Sequence, residues 1–168
     1  MRMLALLANL ALLGSAAHAQ IDLLARLEPA SLDRFQRKEA SVFFDKSLTI
    51  TFQYTAGETE VRIPVAQVGW PTDWSQYKAI DYTFFASSLE PVAIGFSARG
   101  QTKLFITEPL PGIRIRGVIP FDAFTQTREM TPLRPLGFKV WPQRLFSFDR
   151  VEEVVFRMRY PNQPSQFT

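Results

Sequence analysis

An all-β fold, an antiparallel β-sandwich (jelly roll) of about eight strands with a short helical N-terminal segment, is predicted by three features of this 168-residue sequence. Apolar residues recur at every second position in a series of short runs after residue 45. Turn formers separate these runs at short intervals. No stretch between them has helical spacing, whereas a parallel sheet would read as continuous apolar runs joined by helices.

The elements follow in order. Residues 1–19 place Arg2 before an apolar run from Leu4 to Leu13 and end in Ala17, His18 and Ala19. This is the layout of a secretory signal peptide with cleavage before Gln20, and its apolar run is about half of the roughly 20 residues that span a bilayer. A secreted or periplasmic protein with no membrane span after cleavage is expected. In residues 20–45, Ile21, Leu24 and Leu27 stand at near-helical spacing, Pro29 interrupts them and Ser31 is a candidate N-cap, so short helical turns are expected.

Residues 46–168 form the expected sandwich. Alternation predicts strands over 48–54, 61–65, 80–84, 92–98, 104–106, 113–121, 136–140 and 154–160, with turns at Gly57, Gly69, Gly100 and 109–112. The connection 121–136 is the longest irregular one and is expected to cross an end of the sandwich. The chain stops at PNQPSQFT, where either the last strand is shortened or the domain is the front piece of a longer enzyme.

Composition removes many functions. There is no cysteine, and the single histidine, His18, lies in the expected leader. A mature chain without Cys or His has no thiol or imidazole nucleophile system, no Ser-His-Asp triad and no ordinary zinc or copper site. Carboxylate chemistry, Lys or Tyr acid–base chemistry and oxygen-ligand metals remain. No cofactor is expected, since a loop calcium site would need a spacing signature that is absent. Loss of Arg2 leaves 18 basic against 16 acidic residues, a net charge of about +2 that offers no case for nucleic acid.

The polar strand faces are the candidate site. If the strands share a sheet, Asp81, Thr83, Arg99, Arg114, Arg116, Lys139, Trp141, Arg157 and Arg159 lie on one face. Arginine forks pair with hydroxyl or carboxylate oxygens and an aromatic ring covers the apolar side of a pyranose, which suits a sugar. The competing reading is a solvated face whose charges aid solubility and block edge pairing. In the loop GWPTDWSQY, Trp74 and Tyr77 are expected at a core corner, and Trp70 is kept as a ligand contact. Glycoside hydrolysis needs two carboxyls roughly 5–9.5 Å apart. Asp73, Glu90, Glu108, Asp122 and Asp149 fall at loop or strand ends and mid-strand Asp81 has no evident acid partner, so this chain alone is not expected to be an enzyme.

The order of motifs resembles the carbohydrate-binding-module-like, galactose-binding-domain-like β-sandwiches that precede the catalytic domain in agarase-type bacterial glycoside hydrolases. The elements are Asp73, Trp74, Ser75 and Tyr77; Glu90, Pro91 and Val92; Pro111 and Gly112; Ile119, Pro120 and Phe121; and Val151, Val154 and Phe156. The resemblance covers about two thirds of the chain and rests on structural motifs. It implies the fold and a non-catalytic module for a polysaccharide or oligosaccharide, accessory to a catalytic domain in the same parent chain. The alternative is a structural or protein-interaction module docking within a larger exported protein.

Overall fold

The computed structural model describes residues 10–14, 20–53, 57–125, 146–159 and 164–168. Among them are twelve strands: β1 (Leu10–Gly14), β2 (Gln20–Asp22), β3 (Gln36–Lys38), β4 (Ala40–Asp45), β5 (Ser47–Phe52), β6 (Glu58–Pro64), β7 (Tyr77–Phe85), β8 (Val92–Ala98), β9 (Gln101–Thr107), β10 (Arg114–Pro120), β11 (Glu153–Arg159) and β12 (Ser165–Phe167). All pairings are antiparallel. The expected strand over 136–140 lies outside the described residues.

One layer is β3-β6-β11-β8-β9. The other joins two ladders, β10-β7-β1-β2 and β12-β5-β4, through β7. The lower part of β7 pairs with β1, from Leu10 opposite Tyr82 to Gly14 opposite Tyr77. Its upper end pairs with β12: Phe85 and Thr168 exchange backbone hydrogen bonds at 2.6 and 2.9 Å, and Ser87 donates to Gln166 at 3.0 Å. Leu10–Gly14, from the segment expected to be the leader, therefore occupies a strand position in this layer.

Between the layers one apolar cluster gathers Ile50 and Phe52 of β5, Ile63 of β6, Ile80 and Phe84 of β7, Phe96 of β8 and Phe156 of β11. With no disulfides, aromatic packing dominates one end of this core. Phe121 stacks on Phe148 with centroids 4.0 Å apart, and Phe96 meets Trp74 edge-on at 5.4 Å. Trp74 is fully buried and its indole N–H donates to the Pro71 carbonyl at 2.5 Å. Asp73 accepts from the backbone N–H and hydroxyl of Ser75 at 2.9 and 2.6 Å, which closes the turn that aims Trp74 inward. Tyr77 is buried as well, so the core-corner expectation for this loop holds.

Residues 20–45 differ from the expectation of helical turns alone. Two 3₁₀ turns, Leu24–Arg26 and Pro29–Arg34, are present, but β3 and β4 follow within the same segment. β4 forms a hairpin with β5 around Lys46, whose φ of 62° supplies the left-handed turn residue. β12, three residues long, closes against β5.

Candidate functional site

The outward side of β7 and β10 gathers part of the expected site. In this ladder Arg114 stands opposite Phe85, Arg116 opposite Thr83 and Val118 opposite Asp81. The residues between them, Ile115, Gly117 and Ile119, stand opposite core-facing Phe84, Tyr82 and Ile80. Period-two alternation thus puts both arginines and the aspartate on one outer face.

Arg116 reaches diagonally to Asp81, donating from Nε at 3.2 Å and from Nη2 at 2.5 Å to the two carboxylate oxygens. Such a fork fixes the guanidinium plane as a single point charge would not. The hydrogen bond to Asp81, reinforced by the carboxylate charge, holds the Arg116 pKa above the ordinary value. Asp81 is only 5% exposed while the Arg116 side chain is 74% exposed, so the carboxylate is a buried anchor and the guanidinium is its solvent-facing tool. Arg114 and Phe85 flank the pair at the next level of the same face, and Phe85 is 36% exposed.

Other expected members lie elsewhere. Arg99 sits at φ 50° in the tight Arg99-Gly100 turn between β8 and β9, where it pairs with Asp149. That turn is at the end of the sandwich away from Arg114, because β8 starts where β7 ends. Arg157 and Arg159 belong to the opposite layer and are engaged with Glu58 and Glu60. Trp70, expected as a ligand contact, is 3% exposed and belongs to the core cluster, because Gly69 at φ 75° turns the chain and the Trp70 N–H bonds back to the Val65 carbonyl. It is corrected from a surface contact to a core residue. Lys139 and Trp141 lie outside the described residues.

Asp81, Glu58, Glu60 and Glu153, all within strands, are each paired with arginine. Among the described residues no group of three or more acidic side chains is placed to hold a metal ion. A groove of about 570 Å³ opens near Lys78 and Pro120 over Phe121 and Phe148, at the far end of β7 from Phe85.

Sequence reasoning misses two exposed aromatic residues on the outer layer. Phe43 on β4 is 64% exposed, and Phe85 reads in the sequence only as an interruption of alternation. The available signal is the Phe43-Phe44 and Phe84-Phe85 doublets, in which one ring of each pair must face away from the core.

No protein-family model matches the chain, and no curated protein matches it. Solved structures match its fold. The agarase AgWH50C aligns with a TM-score of 0.56 at 11% identity, over 80% of this chain and 23% of that one. PfGH50B aligns with a TM-score of 0.58 at 13% identity, over 79% and 21%. A family 29 carbohydrate-binding module, CBM29-2, in complex with mannohexaose, aligns at 0.46 and 5% identity over 95% and 84%. The chain spans less than a quarter of the first two structures. Their likeness agrees with the sandwich fold and the agarase-type resemblance read from the loop motifs.

Proposed function

We propose that this chain is a non-catalytic carbohydrate-binding module and an accessory domain of an exported polysaccharide-degrading enzyme. The carrying observation is the Asp81–Arg116 fork beside Arg114 and Phe85 on one sheet face. It supplies planar donors of fixed orientation next to an exposed ring, the combination that reads sugar hydroxyls and covers an apolar sugar face. The leader layout supports export, and alignment to under a quarter of an agarase is in keeping with a module of a longer protein. Binding on this reading needs neither metal nor cofactor. Affinity electrophoresis against neutral and acidic polysaccharides tests it: retardation by at least one is expected, and unchanged migration in all of them rejects it.

A second reading, a docking module, is favoured by a different observation. Leu89, Ile106, Leu110 and Ile113 are each more than half exposed around the end where β7 passes to β8 and β9 to β10. Exposed apolar groups in one region mark interaction surfaces. Stable co-purification with a catalytic domain, without polysaccharide retardation, would select this reading.

A further inference from the structure

The outer face that carries Arg114 does not end at β7. Because β12 continues the β7 edge, one register row crosses five strands: Phe43, Thr49, Thr168, Phe85 and Arg114. Each step is fixed by pairing: Phe43 stands opposite Thr49, Thr168 donates its hydroxyl to the Thr49 hydroxyl at 3.1 Å, Phe85 and Thr168 exchange backbone bonds, and Arg114 stands opposite Phe85. A second row, Ser41, Thr51, Gln166 and Ser87, runs beside it and contains only hydroxyls and an amide.

We infer that these rows form a binding cleft for a neutral, linear polysaccharide lying across the strands, with Phe43 and Phe85 as its two stacking platforms. The inference rests on the carbohydrate-binding reading and names its ligand class. Three inter-strand steps separate the rings, about 14 Å, which is the reach of a short oligosaccharide rather than of one sugar. Hydroxyl and amide groups between the platforms can both donate and accept, matching sugar hydroxyls without demanding charge. On the same face the Arg116 charge is matched by Asp81, so anion attraction is not the dominant feature there. An exposed ring such as Phe43 on a strand face gains nothing from the core, while a sugar's apolar face would cover it.

Calorimetric titration of the full chain with di-, tetra- and hexasaccharides of β-glucan, β-mannan and agarose, with oligogalacturonate as the charged comparator, tests this. Affinity for one neutral series should rise from disaccharide to hexasaccharide. Phe43→Ala and Phe85→Ala should each weaken hexasaccharide binding about tenfold, the scale of a well-used aromatic anchor. Phe43→Tyr should retain binding, and Thr49→Val should weaken it. Three results overturn the inference: binding that does not depend on length, a neutral hexasaccharide insensitive to Phe43→Ala, or binding of oligogalacturonate alone. The last result, lost in Arg114→Ala, would leave the carbohydrate-binding reading standing with its site confined to the arginines. Failure of every saccharide would remove both.

Discussion

Asp81 and Arg116 are joined by two hydrogen bonds across adjacent strands although Asp81 is nearly buried and Arg116 is mostly exposed. The pair therefore acts on stability and on presentation together. Removing the cation leaves a desolvated carboxylate, which costs more than the pair was worth. Arg116→Ala should melt at a lower temperature than Arg114→Ala. Asp81→Asn combined with Arg116→Ala should recover part of that loss, since the stranded charge is gone. Thermal unfolding at pH 7 compares the three variants, and equal melting of both single variants would disprove the anchoring role of Asp81.

The place of β1 gives a second expectation. A chain beginning at Gln20 lacks Leu10–Gly14, so β2 loses its ladder neighbour and the 77–82 edge of β7 loses its hydrogen-bond partner. In an antiparallel strand alternate amides turn to each side, and those on the β10 side keep their bonds. Hydrogen exchange should therefore accelerate over 77–82 in the shortened chain but not over 83–85, where β12 still pairs. Unaltered exchange over 77–82 would mean that another segment takes the vacated position.

Strand alternation makes β5 and β6 legible because each has a clean core face, as in β6, where Val61 and Ile63 alternate with Glu60 and Arg62. β4 is hidden by its own outward ring. Val42-Phe43-Phe44 reads as a continuous apolar run, so the alternation that packs Val42 and Phe44 against the core is masked by Phe43. β12 is three residues long, too short to show a period. Without β4 and β12 the two rows of the outer layer cannot be assembled. Parity puts Arg114 and Arg116 on one face of their strand and Asp81 on one face of its own, but the β7–β10 pairing that joins them is not written in the period. In the same way Arg99 and Trp70 depend on turns that rotate them away, and Arg157 on which layer its strand joins.

Two glycines mark close approaches that an added methyl cannot share. At Gly117 a Cβ would stand 2.4 Å from Cζ and Oη of Tyr82, whose ring stacks on Phe84 at 5.7 Å. At Gly95 a Cβ would stand 2.1 Å from the backbone carbonyl oxygen of Lys103. Overpacking of this kind costs about 1–3 kcal/mol where a side chain can yield, and more where only backbone can. Gly95→Ala should thus destabilise more than Gly117→Ala in denaturant melts. Tyr82→Leu should rescue Gly117→Ala in part, and no comparable rescue is open to Gly95→Ala, since the nearest obstacle there is main chain.

Glu60 connects two arginines of the opposite layer, accepting from Arg62 and, at 2.6 Å, from Arg157 Nε, while Arg62 also donates to Glu153 at 2.6 Å. Partial burial pushes the Glu60 pKa up, but the hydrogen bonds from Arg62 and Arg157 and their charges outweigh it, so the carboxyl lies below its ordinary 4.5. A depressed carboxylate pKa means that the unfolded chain binds the proton more readily than the folded one. The stabilisation is therefore complete above pH 4.5 and is lost as pH falls through the lower folded-state value. Arginines stay cationic throughout this range, so protonation of Glu60 removes one carboxylate partner from each, leaving Arg62 with Glu153 and Arg157 with Glu58. Glu60→Gln should lower stability near neutrality by on the order of 1 kcal/mol, the scale of a well-formed but partly exposed pair. As pH falls through the folded-state value, the melting temperatures of the wild-type chain and the Glu60→Gln variant should converge, because both then lack the charge. A gap that persists into acid would assign the loss to packing rather than to the ionised network.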